Sequence, residues 1–290
     1  MSRTATVKAF YRLTKPGVLY GNVLTAAAGF LLASEGVIDT RLFIATITGT
    51  TLVIASACVL NNFLDQDIDQ LMERTKKRPL ITGDVRGRDA VIFLVVLGIS
   101  GILVLYAWVN WLVVVVGLTG FLVYVVLYGM LSKRLSIHGT LVGSVSGAAP
   151  ILAGYVAVTD AIDLGALLVF VILFLWQMPE FYSIAIYRRD EYKAAGVPVI
   201  SVVKGIQHTK RQIFAYLLAF TVSVVLLTAA GYTGYVYLVV MTALCIYWLW
   251  LGTKSLNTKD NDFWSRKVFR HSLVVLLAFS LLISVDAWLP

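Results

Sequence analysis

Nine stretches of nearly continuous apolar residues, near 17–34, 41–62, 90–109, 111–132, 139–159, 162–186, 211–231, 233–251 and 268–289, divide this chain. Each is long enough to cross about 30 Å of hydrocarbon as a helix, the one open-ended element that satisfies all its backbone polar groups internally. The pattern predicts an all-α, polytopic membrane protein with nine transmembrane helices around a central cavity. The tight joints at Asn110 and at Tyr232 to Thr233 leave a merged or re-entrant pair open. Connections on one side are short. On the other side two are long and polar, 63–89 and 187–210. Four spans separate these two loops, which suggests one domain over 1–290 with repeated four-helix units at about 15–135 and 136–252 and a last helix at 268–289.

Composition agrees with this pattern. Hydrophobic residues make up 59% of the chain, charged residues only 14%, and the mean hydropathy is +0.84. Charge then sets the orientation. With the N-terminus in the cytoplasm, 23 of the 24 Lys and Arg residues fall on the inner side and only Arg41 lies outside. Basic loops are retained inside, so the N-terminus is expected in the cytoplasm and the C-terminus outside, in the cytoplasmic (inner) membrane. The net charge of +8 thus reflects topology and contact with anionic lipid, and calls for no nucleic acid. The first apolar run is followed by further spans and reads as an anchor rather than a cleaved signal. Cys58 and Cys245 lie within spans, without metal-ligand spacing, and read as small buried hydrophobes.

The chemistry concentrates in NNFLDQDIDQLMERTKKRP, residues 61–79. Asn61, Asp65 and Asp69 recur at i, i+4 and i+8, so a continuing helix places them within about 80° of one another, the carboxylates about 6 Å apart. Two anions at a membrane boundary repel and lose hydration. A hard divalent cation that shares their oxygens with phosphate removes both penalties, and magnesium with a diphosphate fits. Arg74, Lys76, Lys77 and Arg78 follow, suited to the remaining phosphate charge.

The second loop, YRRDEYKAAGVPVISVVKG from Tyr187 to Gly205, carries the same ingredients. Asp190 and Glu191 supply acid, Arg188, Arg189 and Lys193 supply base, and Gly196 with Pro198 breaks the helix. Arginines at a helix end also satisfy topology alone. Within the spans, Glu180 beside Gln177 is a functional candidate because burying an ionisable group in a membrane is costly; a hydrogen-bonded structural acid is the plainer alternative. Asn22, Asn61 and Asn62 either face one cavity or bridge helices. His138, His208 and His271 lie near the inner boundary with no spacing that clamps a haem or zinc ion. Tyr and Trp residues near the outer ends form an aromatic belt.

The Asn-x3-Asp-x3-Asp pattern of Asn61, Asp65 and Asp69 resembles the first motif of the intramembrane prenyltransferase superfamily (UbiA-type). Asp67, the ERTKKRP tail, KRLSIHGTLVGSVSGAAPILAGY from Lys133 to Tyr155, WQMPEFYSIAIYRRDEYKAAGVPVISVVKG from Trp176 to Gly205, and His208, Thr209 and Gln212 are similar to its haem-farnesylating branch. The resemblance runs through nearly the whole chain in order. It implies magnesium and farnesyl diphosphate at the cytoplasmic end, with haem B as the acceptor, alkylated on a vinyl group to give haem O. A terminal oxidase or a haem A synthase would use the product. It also implies roles: Asp65 and Asp69 hold magnesium with Asn61 assisting and Glu191 as a further acid. Arg74, Lys77, Arg78 and Lys193 contact diphosphate. Beside these implied roles, Arg188 is a further candidate diphosphate contact, and Glu180, Gln177, Asn22, His138 and His208 are candidates for the acceptor pocket. Two positions depart from the pattern. Tyr187 replaces the first Asp of the second motif, a reduced form that the haem branch shares, and Glu180 stands where that branch usually has His.

The expected reaction is ionisation first: an allylic farnesyl cation forms, the vinyl π-bond attacks its primary carbon, and water captures the resulting cation. Phe63, Tyr124, Tyr128 and Phe181 are candidate rings for protecting the cation, although aromatic residues in spans more often simply pack. Three other readings remain. A prenyltransferase acting on a quinone precursor or other aromatic acceptor uses the same first loop; a cation-coupled transporter places its ion site near the bilayer midplane; and a haem-binding assembly factor needs no catalysis.

Overall fold

The computed structural model describes residues 3–254, 258 and 260–289. Lys259, counted above among the inner cations, lies outside them. An amphipathic helix, α1 (Arg3–Leu13), leads into α2 (Pro16–Ala33), α3 (Thr40–Leu64), the single turn α4 (Gln66–Asp69) and α5 (Gly87–Trp108). Next come α6 (Trp111–Leu122), a π-helical segment (Val123–Ser132) and the turn α7 (Lys133–Leu135), which together make one rod. The second half holds α8 (Gly139–Thr159), α9 (Leu164–Tyr187), the short α10 (Arg189–Ala194) and α11 (Ile200–Val203), then α12 (Ile206–Ala229), α13 (Tyr235–Thr253) and α14 (Asn261–Val285). Among the described residues nine helices are long and apolar enough to cross a membrane, and no strand occurs. The protein is a multi-pass integral membrane protein.

Both open joints resolve into separate helices. Asn110 caps α6 by accepting from the Val113 N–H at 2.9 Å, while its amide donates to the Val156 carbonyl at 2.9 Å. At the other joint, the Asp286 carboxylate accepts the Gly234 N–H at 3.0 and 3.1 Å and so ties the start of α13 to the end of α14. Asp39 and Asp163 cap α3 and α9 in the same way as Asn110 caps α6. These short side chains satisfy N–H groups that a helix start leaves without partners, and they give the short loops at this end their sharp turns.

Packing closes the bundle. α2 lies against α3, α8 and α14; α3 against α5; α8 against α9; and α9 against α12 and α14. Apolar attraction between helices is weak in lipid, so close backbone approach must supply the contact. The α2–α8 crossing depends on it. A side-chain carbon on Gly154 would collide with the Ala26 carbonyl, and one on Gly29 with the Ile151 carbonyl. α5 does the opposite and turns Ile92, Val96, Ile99, Leu103 and Tyr106 outward, an apolar surface suited to lipid. The helix α1 was not anticipated. Its Ala9 and Leu13 pack with Val59, Leu80, Val85 and Ala90, which pins the N-terminus under α3 and α5.

Overpacking of this kind commonly costs about 1–3 kcal/mol. Gly154→Leu should therefore lower the thermal unfolding midpoint of the detergent-solubilised protein by several degrees, whereas Gly17→Leu, at a glycine with open space around it, should leave it nearly unchanged.

Candidate active site at the polar end of the bundle

α3 stops at Leu64 because Asp65, at φ −92° and ψ 11°, leaves helical geometry, and α4 resumes the helix for one turn. The continuous helix expected through 61–69 is thus kinked. Its hydrogen-bond rhythm survives: Asp65 N–H donates to the Asn61 carbonyl at 3.0 Å and Asp69 N–H to the Asp65 carbonyl at 2.8 Å. Asp65 and Asp69 end up 1% and 3% exposed, whereas Asp67 points outward. The kink buries two carboxylates and releases the third.

Each acid meets a base. Lys133 Nζ donates to Asp65 Oδ2 at 2.5 Å, and Arg134 Nη2 lies 3.7 Å from Asp65 Oδ1. Arg78 pairs with Asp69. Arg134 also grips Asp67 with both nitrogens, at 2.6 and 2.8 Å. Mainly through those hydrogen bonds the Asp67 carboxyl is held at about 2, below its ordinary 3.8. Its stabilising contribution is complete above pH 3.8 and is lost as pH falls through about 2. Lys15 donates to Asn61 Oδ1 and lies 3.4 Å from the Tyr124 hydroxyl. It adopts a left-handed conformation at φ 52°, a strained geometry for a non-glycine residue. Burial first, and then the nearby Arg78 charge, lower its pKa to about 8.

The π-helical segment supplies the opposite wall. A π turn is wider than an α turn and is often found at functional sites. Here it carries Tyr124 and Tyr128, whose rings stack 5.8 Å apart, and it ends at the Lys133 and Arg134 that meet the acids. From sequence Lys15 reads as topology alone, and Lys133 and Arg134 as topology and as the start of the block similar to the haem-farnesylating branch, none of them as a partner of the acids. Their contacts across 46, 68 and 67 residues leave no local signal in the pattern.

The second loop reaches the first through apolar contact. Ile68 and Met72 form a cluster with Val197, flanked by Tyr192, Ala195 and Val199. A small cleft between the loops is lined by Asp67, Arg134 and Gly196 among others. The acids of the two loops do not converge, however. Glu191 pairs with Arg188 at 3.0 and 3.1 Å, and among the described residues no three His, Cys, Asp or Glu side chains gather as a metal cluster. Arg74, Lys77 and Lys193 are exposed. Of the anticipated pocket residues, Gln177 spends its amide on the Ser144 and Leu173 carbonyls, and Asn22 donates back to Val18. His138 and His208 are exposed, and Glu180 is half-buried within α9. His271 contacts the Leu244 carbonyl at 3.1 Å and the edge of Tyr247, a packing role.

A divalent cation suits this end. Asp65 Oδ1 is sealed from solvent and accepts no hydrogen bond, while Asn61, whose Oδ1 accepts from Lys15, keeps an unpartnered Nδ2 donor suited to a phosphate oxygen beside the cation. Magnesium needs only one or two carboxylates when substrate phosphates and water complete its shell, so the absence of a third acid is no obstacle. The acids sit at a helix end, not at mid-span where a transporter's ion site belongs.

The sequence matches the UbiA prenyltransferase family over residues 22–274. The chain belongs to the UbiA prenyltransferase family. It is 46% identical over 284 residues to protoheme IX farnesyltransferase of Yersinia enterocolitica, covering 98% of this chain and 96% of that one. Identity to the protein of the same name from Photorhabdus laumondii is again 46%, over 98% and 97%. Among UbiA-type folds, a digeranylgeranylglyceryl phosphate synthase superposes with a TM-score of 0.81 at 18% identity, covering 97% of this chain and 98% of that one. A UbiA homologue from Archaeoglobus fulgidus bound to GPP and Mg2+ gives 0.68 at 14%, covering 96% and 100%. This UbiA-family chain is a prenyltransferase.

The Lys133–Asp65 contact links the π-helical segment to the first loop. Removing one member strands a buried charge, whereas removing both does not. Lys133→Met alone should therefore cost about 1–3 kcal/mol in denaturant unfolding, and Lys133→Met combined with Asp65→Asn should recover a measurable part of that loss.

Proposed function

We propose that this enzyme transfers the farnesyl group of farnesyl diphosphate to a vinyl group of haem B and, with addition of water, releases haem O and diphosphate. The observation that carries the proposal is the pair of buried carboxylates, Asp65 and Asp69, each faced by a cation at the polar end of an apolar bundle. The acceptor rests on the near full-length similarity to proteins named protoheme IX farnesyltransferase.

Asp65, Asp69 and Asn61 would hold magnesium, which would offset the charge that builds on departing diphosphate; Glu191 is the second loop's acid for the same group. Arg78 and Lys133 already stand against those carboxylates and take phosphate oxygens. Arg74, Lys77, Arg188 and Lys193 on the two loops extend this basic rim. Preorganised cations favour the leaving group most at the moment its charge is greatest, which is when they lower the barrier. The C1–O bond breaks with its electron pair staying on diphosphate, and the vinyl π-pair then bonds to farnesyl C1. Tyr124 and Tyr128 present stacked faces next to Lys15 and Asn61, suited to sheltering the allylic cation from water.

The loop-rich end faces the cytoplasm in this reading, with the C-terminus outside and the protein in the inner membrane, as one domain over 1–290 built on the two four-helix units. Haem O then passes to a terminal oxidase or a haem A synthase.

Incubation of the purified protein with haem B, farnesyl diphosphate and magnesium, followed by mass spectrometry of the pigments, should give the hydroxyethylfarnesyl product. Prenylation of a quinone precursor with none of haem would overturn the acceptor. Asp65→Ala and Asp69→Ala should each reduce turnover by at least about 10²-fold, in line with losing a principal electrostatic contributor, while the protein stays inserted and folded. Retained transfer in either variant would remove the carboxylates from the mechanism.

A further inference from the structure

One ionisable side chain within the spans takes no part in the diphosphate site. Glu180 lies on α9 seven residues before the helix ends at Tyr187, about 10 Å along the axis from the polar end. Its neighbours on the helix fix its direction. Trp176, four residues earlier, donates from Nε1 to the Ser272 carbonyl of α14 at 2.9 Å, and Gln177, three residues earlier, donates to the Ser144 carbonyl of α8 at 3.1 Å. At 100° per residue Glu180 falls between these two directions, about 40° from the first and about 60° from the second. α2 packs against both α8 and α14, so this sector is the inside of the bundle rather than the lipid face.

No ion pair or hydrogen bond reaches Glu180 among the described residues. Two cations beside the end of α9 are engaged there: Arg266 and Arg188 lie over the Tyr187 ring, 4.5 and 5.6 Å from its centroid. A structural acid at this depth would be expected to have a partner. This one is half-buried and presents free oxygens to the interior.

We propose that Glu180 is a catalytic residue for the hydration half of the reaction, the general base that takes a proton from the water. This rests on the farnesyl-transfer reading. Once the vinyl π-pair has bonded to farnesyl C1, the carbon next to the porphyrin ring is cationic. A water oxygen lone pair forms the new C–O bond, and one water proton passes to a Glu180 carboxylate oxygen, leaving the hydroxyl on the product and a neutral carboxyl on the enzyme. That proton leaves later to solvent, so charge and atoms balance with water as the only co-reactant. Before the proton moves, the carboxylate also opposes the positive charge in a region of low dielectric. Without such a base the cation has another exit, loss of a proton from the adjacent methylene, which gives a diene lighter by one water.

Product identity separates this role from a structural one. Wild-type protein, Glu180→Gln and Glu180→His are each given haem B, farnesyl diphosphate and magnesium in 18O-labelled water. The wild type should place one label in the hydroxylated pigment. Glu180→Gln should make that pigment about 10²-fold or more slowly, the usual contribution of a general base, with the dehydrated diene as a growing share and unchanged affinity for farnesyl diphosphate. Glu180→His, which keeps a base, should restore the hydroxylated product. Wild-type rate and product in Glu180→Gln would overturn the assignment, as would equal loss of every pigment together with farnesyl diphosphate affinity. A wild-type protein that farnesylates no haem would instead overturn the reading on which it rests.

Discussion

Burial of Asp65 and Asp69 is the constraint around which the polar end of this protein is organised. A carboxylate with almost no solvent contact costs several kcal/mol unless a charge of opposite sign lies beside it. The chain meets that demand with Lys133, Arg134 and Arg78, brought from the end of the fourth span and from the first loop itself. Neutralisation by side chains is adequate for folding; in the proposed function a divalent cation and a diphosphate would satisfy the same charges in a different pairing. Folded stability and the proposed substrate recognition would then draw on one set of residues.

Backbone irregularities place those residues. The kink at Asp65 buries two acids and turns Asp67 outward to Arg134. The left-handed Lys15 sets its ammonium on Asn61, and the π-helical segment brings stacked tyrosines and Lys133 to the same point. Most of the remaining bundle is regular because lipid requires backbone groups to be satisfied within the helix, with Pro150 in α8 and Pro179 in α9 as interruptions. The kink at Asp65 and the left-handed Lys15 lie at helix ends, whereas the π-helical segment lies within the fourth span.

Much of this architecture was legible in the chain. Among the described residues nine membrane-length helices answer to the nine apolar runs, because the bilayer sets their length. Boundaries shifted where the polar ends of helices continue beyond the membrane: α12 begins at Ile206 and α14 at Asn261, several residues before their apolar runs. The acidic motif was legible because i, i+4 spacing is local. Its partners were not. Lys133 looks like any positive residue at an inner helix end, and nothing about its position announces a contact with Asp65 across 68 residues. The π turn was equally hidden, since VYVVLYGMLS reads as an ordinary apolar helix. Glu191 differs again: its place at the metal is implied by the resemblance and not by the local pattern, and in the structure its carboxylate pairs with Arg188 one turn away.

The most direct test is a structure determined with manganese in place of magnesium and a non-hydrolysable farnesyl diphosphate analogue, with the metal located by anomalous scattering. The account predicts density between the Asp65 and Asp69 carboxylates, with Lys133 and Arg78 turned from those acids toward phosphate oxygens. Metal bound elsewhere, with the Lys133–Asp65 and Arg78–Asp69 pairs still closed and the diphosphate away from them, would contradict it.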